Sequence, residues 1–437
     1  MRRVLIITYY WPPTGGSGVQ RWLKFAKYLP SQGWQPVIYT PSNPEQLAVD
    51  ESLVAEIPAE AEVLKTRIRE PYAIYHKLVG KKTDARGAGL NPINAQKKNW
   101  KQQLMLWIRS NFFVPDPRAG WVRISVKYLT EYLQEHPVDV IVTTGPPHSV
   151  HLIGRGLKRK LGVPWVADFR DPWTRMYYFG NLPLLPWVRK AHFRLEKSVL
   201  DEASAVVAVT PFVADDFRSM GKAPVEVITN GFDEDDFKAG LPARTDGKFR
   251  VVHTGLFASD GNPLELWKSL ATLCAESADF ASRLEIRLAG KVDTEIIEAI
   301  EAAGLGGKLN LLGYLSHADS VAELRQADII LMPLRRSPEY SKAYPGKIFE
   351  CIAAAMPAAP GLIRHPAVLG IGPADSAAAQ LLRDTGAGEM FDWEDDPSAF
   401  IRAAASSSLE IPTGTSDAAA FSRRVLTARI AELLGNL

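Results

Sequence analysis

The chain has 437 residues, 46% of them hydrophobic, which is too long for one typical core and implies two domains. Its formal charge of +2 conceals an asymmetry: residues 1–220 hold 30 Lys and Arg against 19 Asp and Glu, and the remainder 21 against 30. No apolar run approaches the ~20 residues of a membrane span, and Cys274 and Cys351 stand far apart without metal-ligand spacing, as expected of reduced cytosolic thiols rather than a disulfide framework.

The opening Met-Arg-Arg and apolar run look superficially like a signal peptide. The run is too short, lacks a small-residue cleavage pattern and stops at Pro12 and Pro13, so residues 3–8 read as a first strand. RVLIITYYWPPTGGSGVQRWL, residues 3–23, then gives a strand, a proline-rich turn, a glycine loop (Gly15, Gly16, Gly18) and an amphipathic helix. That is the strand–glycine–helix arrangement of doubly wound folds. The G-G-x-G spacing is neither a dinucleotide fingerprint nor a phosphate loop ending in Gly-Lys-Ser/Thr, and by itself it also fits tight-turn glycines.

Strands are expected at 3–8, 36–40, 138–143, 164–168 and 205–209, with helices near 18–29, 147–161 and 187–203. The region 42–120 is less regular and reads as long loops or helical insertions. Between residues 71 and 130 stand 11 basic and 2 acidic residues, interleaved with Trp100, Trp107, Phe112, Phe113 and Trp121. Such a surface suits nucleic acid, anionic lipid or a phosphorylated acceptor; equally it is a solvated helical face with core aromatics behind it. TTGPPHSVHL, residues 143–152, ends a strand in Gly145-Pro146-Pro147 and sets His148 at a helix start, while VADFRDPW, residues 166–173, ends one in Asp168, Arg170 and Asp171. On a doubly wound sheet these share an edge with the glycine loop, where His148, Asp171 and the glycines would line one cleft. The bland alternatives are a capping histidine and an Arg170–Asp pair that holds the loop.

A charged, glycine-containing stretch at 211–245 reads as the domain junction. Beyond it, strands at 249–254, 284–289, 309–312 and 328–332 alternate with helices near 263–275, 293–303, 317–326 and 347–355, so that both halves read as parallel sheets covered by helices. A last helix, 416–434, follows a polar linker. In ADIILMPLRRSPEYSKAYPGKIFECIAA, residues 328–355, a buried-type strand runs through a basic loop to a Pro-Gly step that opens a helix. Pro345 suits a first turn, where no backbone N–H is needed, and Gly346 lets a ligand approach the backbone. The free amides and the dipole of the helix start favour an anion. Lys347 adds a full charge, and Glu350, one turn on, can accept two hydrogen bonds from vicinal hydroxyls such as those of a ribose. Taken alone, the same residues describe an ordinary loop end with a solvated lysine.

The opening LIITYYWPPTGGSGVQRWLKFAKYLPSQGW, with GPPHSVHL, DFRDPW, ITNGFD at 228–233, HTGLF at 253–257, RLAG at 287–290, LLGYLSHADSVAELRQADIILMPL and PGKIFECIAAAMP, resembles the nucleotide-sugar-dependent glycosyltransferases of family 4 across almost the whole chain. The resemblance implies an α/β GT-B fold: two Rossmann-like doubly wound domains facing across a cleft. It implies an acceptor domain at 1–215, joined by the last helix at 416–434, and a donor domain at 216–415. Carried over by position, Glu350 binds the ribose, Gly313 and Tyr314 contact the base, Gly15, Gly16 and Gly18 approach the diphosphate or acceptor, and His148 meets the donor sugar. The catalytic set is then Lys347, His148 and Asp171, and the donor-binding set Gly15, Gly16, Gly18, Tyr314, Arg335, Gly346 and Glu350. Two departures stand out: the family's second glutamate, eight positions before Glu350, is Lys342 here, with Glu339 three residues too early, and HTGLFASDGNP lacks the usual arginine and lysine. Lys347, Arg335 and Arg336 are the candidates to supply that charge.

The implied reaction is glycosyl transfer from a nucleoside-diphosphate sugar to a hydroxyl of a glycan or lipid-linked acceptor, with retention and with neither cofactor nor obligatory metal. The Asp-x-Asp within Asp233–Asp236 is a product of composition. The implied location is the cytoplasm, at the inner face of the membrane, with peripheral contact to anionic lipid. The rivals are a GT-B nucleotide-sugar epimerase and a non-catalytic binding component of a polysaccharide assembly. The acidic second half argues against nucleic acid.

Overall fold

The computed structural model describes residues 1–45, 49–68, 100–176, 178–238, 240, 244–356, 366–411, 414 and 416–437. The chain divides into two compact units, Met1–Thr229 with Leu426–Leu437, and Asn230–Val425.

The first unit is built on a parallel sheet of β1 (Arg2–Thr8), β2 (Trp34–Pro41), β3 (Glu62–Thr66), β4 (Val140–Gly145), β5 (Trp165–Phe169), β6 (Ala205–Ala208) and β7 (Val225–Val227), in the order β3-β2-β1-β4-β5-β6-β7. Continuous apolar runs such as Val4–Ile7 are what a strand covered on both faces requires. Alternate residues feed opposite layers: Val4 and Ile6 pack with Trp22 and Phe25, and Leu5 and Ile7 with Trp121 and Trp165. Each such burial contributes about 1.5–3 kcal/mol. The last helix, Arg423–Gly435, inserts Leu426, Ile430 and Leu434 into the layer of Trp22 and Phe25.

The second unit repeats the plan with β8 (Phe249–Thr254), β9 (Leu284–Ala289), β10 (Leu309–Gly313), β11 (Ile329–Pro333), β12 (Ala367–Ile371) and β13 (Gly388–Phe391), ordered β10-β9-β8-β11-β12-β13 and parallel throughout. Both orders contain the 3-2-1-4-5-6 of dinucleotide-type sheets, which places a topological switch beyond the carboxyl ends of β1 and β4 in one unit and of β8 and β11 in the other.

The stretch read from composition as the junction holds the helix Pro211–Met220 and β7, the last strand of the first sheet. Thr210 caps that helix by accepting from the Val213 N–H. Within 42–120 lie β3 and the helix Trp100–Phe112, followed by the helix Ala119–Glu135; the basic segment before Trp100 falls outside the described residues. Among the described residues no helix is long and apolar enough to cross a membrane.

Candidate functional site

At the switch of the second unit, Thr254 ends β8 and Gly255 turns away with φ +124°. Gly290, after β9, has φ +102°, and a Cβ there would fall on the carbonyl oxygen of Gly255. The Gly290 N–H donates to the Gly313 carbonyl at 2.6 Å, so the ends of β8, β9 and β10 are drawn together through backbone alone. Lys347 sits immediately before the helix Ile348–Ala355 and lies along Gly255, its Cε 3.6 Å from where a Cβ would stand. Its ammonium donates to Thr254 Oγ1 at 3.2 Å and to Ser320 Oγ at 3.1 Å. Both acceptors are neutral hydroxyls, so they orient the charge without cancelling it.

Two buried polar atoms near this lysine lack protein partners. Glu350 Oε2 is one, on the first turn of the same helix. His253 Nε2 is the other; its Nδ1 lies 3.0 Å from the Leu331 carbonyl, which accepts the ring proton and leaves Nε2 a lone-pair acceptor. Burial, reinforced by the Lys347 charge against that hydrogen bond, pushes the His253 pKa down to about 4. Buried polar atoms without partners cost free energy, and a ligand with hydroxyl donors relieves it.

Of the other residues expected at this donor site, Gly346 is exposed, with open space where a Cβ would stand. Tyr314 is almost wholly exposed and Lys342 is exposed. Arg335 is held by Asp260 through Nε at 2.9 and 2.8 Å and Nη2 at 2.7 Å, and Arg336 pairs with Glu394 and lies over Trp393. Both guanidiniums therefore have carboxylate partners, which leaves Lys347 with the less neutralised charge. The Asp233–Asp236 run is spent on structure: Asp233 caps Asp235, Glu234 meets Arg424, Lys238 meets Asp235 and Asp236 meets His317. Among the described residues no group of three or more His, Cys, Asp or Glu is placed to hold a metal ion.

In the first unit, Arg170 gathers the expected residues of the sheet edge. Its Nη1 donates to the Gly18 carbonyl at 2.7 Å, Nη2 to the Pro146 carbonyl and Nε to Gly145 at 3.3 Å, while the guanidinium lies over the Tyr10 ring. Gly18 is crowded by this clamp, whereas Gly16, with φ +97° before the helix Ser17–Tyr28, meets open space, and Gly15 is half-buried beside it. His148 stacks flat on Trp173, centroids 5.0 Å apart, and its buried Nδ1 has no partner. Burial first, then His151, Arg170 and His192, hold its pKa well below the usual histidine range. Asp171 is pushed up by burial, against the opposing Arg170.

The stack is braced from behind. Trp173 donates its indole N–H to His192 Nδ1 at 3.1 Å, and fully buried Glu196 accepts from the Trp173 N–H at 3.2 Å and from Thr174. Asp168 is not the partner of Arg170. It lies beneath, in a buried pair with Arg21 at 2.8 Å, and accepts from Trp22 and Thr144 as well. The sequence reading missed Thr254, Ser320, His253, His192 and Glu196. Strand ends marked two of them, His253 and Thr254; the others carry no signal until the helices are placed.

Residues 92–236 match the family model of Glycosyltransferase Family 4. The fold is that of sucrose-phosphate synthase from Thermosynechococcus elongatus, at TM-score 0.58 and 12% identity over 100% of this chain and 99% of that one. It is equally that of a glycosyltransferase from Rickettsia africae, at 0.55 and 14% over 100% and 98%. A putative UDP-N-acetylglucosamine 2-epimerase from Listeria monocytogenes gives 0.53 and 10% over 98% and 94%. No curated protein matches by sequence.

Proposed function

We propose that this chain, a GT-B protein carrying a Glycosyltransferase Family 4 segment at residues 92–236, moves a sugar from a nucleoside diphosphate to a hydroxyl acceptor. The observation that carries the reading is Lys347, held by two neutral hydroxyls at a helix start, with an unpartnered Glu350 oxygen one turn on. A diphosphate at the helix start would be met by the ammonium and the free amides, and a ribose diol by Glu350. Negative charge grows on the leaving diphosphate as the glycosidic bond breaks, so these donors act more strongly on the transition state than on the bound donor. His253 Nε2, a neutral acceptor, is suited to a donor hydroxyl.

The finer parts of the proposal are retention at the anomeric carbon, no obligatory metal, and a glycan or lipid-linked acceptor met by the first unit at the inner face of the cytoplasmic membrane. Neutral His148, the candidate to meet the donor sugar, and Asp171, whose pKa burial raises, are the first unit's candidates for hydrogen bonding and proton transfer. The epimerase reading shares the fold and differs in its product.

The test is calorimetric titration with UDP, GDP, dTDP and ADP, with Lys347→Ala and Glu350→Ala alongside. The expected result is selective binding of one nucleotide, weakened about 10- to 100-fold by Lys347→Ala, as loss of a hydrogen bond to a charged group implies. Binding of none overturns the proposal; binding with a free epimeric sugar as product, independent of acceptor, selects the epimerase.

A further inference from the structure

The imidazole of His148 is oriented by what it lies against. Its backbone is fixed, because Asp116 accepts from the N–H and the hydroxyl of Ser149 at 2.8 and 2.9 Å and from the Arg118 N–H at 2.9 Å, which pins the helix start. Its ring has no such tether: Nδ1 is without a partner, and a torsion onto an aromatic ring has a broad energy profile. The ring's neighbours are Trp173, 3° from parallel, and Phe169, tilted by 31° with centroids 5.9 Å apart and itself packed on His151 and Phe217.

Trp173 is in turn held by one face of the helix Pro186–Glu202. His192 accepts its indole N–H. Glu196, four residues on and so on the same face, accepts from the backbone N–H groups of Trp173 and Thr174 and from the Thr174 hydroxyl. To accept at Nδ1, His192 must be neutral with its proton on Nε2; burial, and then Arg189, secures this by pushing its pKa down to about 4. Ring and backbone of the tryptophan are thus both fixed from one helix, two residues after Asp171.

We infer that His192 and Glu196 are positioning residues: they set the plane of Trp173, and through it the direction in which His148 presents its ring nitrogens. A phenylalanine in place of Trp173 would fill the layer without an N–H to satisfy; the indole and its acceptor add an in-plane constraint that packing alone does not supply. The inference deepens the glycosyl-transfer reading, on which the use made of His148 rests.

Histidine-ring-labelled protein is observed by NMR, with the His148 signal assigned from its loss in His148→Gln. Turnover is followed as nucleoside diphosphate released from UDP-glucose, GDP-mannose, dTDP-glucose and ADP-glucose. The expected result is a His148 Cε1–H signal held upfield by the indole, moved downfield in His192→Leu and restored in His192→Asn, whose Oδ1 can accept the indole N–H. On the donor consumed, kcat should fall about 10- to 100-fold in His192→Leu and recover in His192→Asn, with KM and nucleoside-diphosphate affinity unchanged. Glu196→Gln, which turns an amide NH2 toward the donors of Trp173 and Thr174, gives the same reading should His192→Leu fail to fold. A His148 signal that stays in place in the folded variants, or a lowered Tm with kcat unchanged, overturns the inference; where the parent consumes none of the sugars, the ring signal decides alone. A signal that moves in a protein binding no nucleotide supports the positioning while overturning the transferase reading.

Discussion

Gly290→Ala puts one methyl where the second unit has no room for it. The backbone there has φ +102°, and the new Cβ would overlap the Gly255 carbonyl oxygen, a rigid backbone atom. Backbone strain alone costs about 1–3 kcal/mol, and the displaced turn adds to it, giving roughly 3 kcal/mol or more. For a unit of this size that lowers Tm by about 6–12 °C. Because Gly255 flanks Lys347, nucleotide affinity should fall as well. Gly346→Ala is the matched control: its φ is ordinary and its Cβ meets nothing, so Tm should stay put. If a diphosphate approaches that backbone, its affinity alone falls. Scanning calorimetry and nucleotide titration on both variants read the two effects apart. A Gly290→Ala protein melting within ~2 °C of the parent, a shift smaller than 1 kcal/mol explains, would refute the packing argument.

Arg335→Ala should weaken nucleotide binding less than about threefold, against the tenfold or more of Lys347→Ala, because Asp260 already neutralises Arg335; titration of both variants ranks them. Asp168→Asn should cost about 3–5 kcal/mol in denaturant unfolding, since it removes the carboxylate that balances the buried Arg21 charge. Histidines 148, 151, 192 and 253 are all held below the unfolded value, the last three to about 3, 4 and 4. Their stabilisation is full above pH ~6.5 and is lost as pH falls toward 4, by up to about 1.4 kcal/mol per pH unit for each. Asp171 and Glu196, raised by burial, act in the opposite sense and are fewer. Denaturation midpoints should therefore drop between pH 7 and pH 5, and a flat profile would count against four neutral histidines. Chelation by EDTA should leave nucleotide binding and turnover within about twofold, as expected when Lys347 and amides carry the diphosphate.

The sheets were legible because strands buried on both faces must be apolar throughout, as Val4–Ile7 and Ile329–Met332 are. β3, with its half-exposed edge and Lys65, lacks that pattern, and the charged turns around the short β7 mask it as junction. At the site, glycine, proline and a helix-start lysine announce themselves locally. The partners that orient them do not: Ser320 lies 27 residues from Lys347, Asp260 75 residues from Arg335, and Gly18 152 residues from Arg170. Such pairings follow from strand order, which fixes which loops meet. Of the two aspartates that flank Arg170 in sequence, Asp168 points inward to Arg21, and Asp171 is the one that acts more strongly on Arg170.

The last helix has a practical corollary for anyone dissecting this protein. A fragment stopped at Thr229 would lack Leu426, Ile430 and Leu434, and the face of Trp22 and Phe25 that they cover would be left to water. The first unit is thus completed only when residues 426–437 have been made. Expressing it alone calls for grafting residues 426–437 back through a linker, and a truncation that trims the tail should be read as a core lesion rather than as the loss of an appendage.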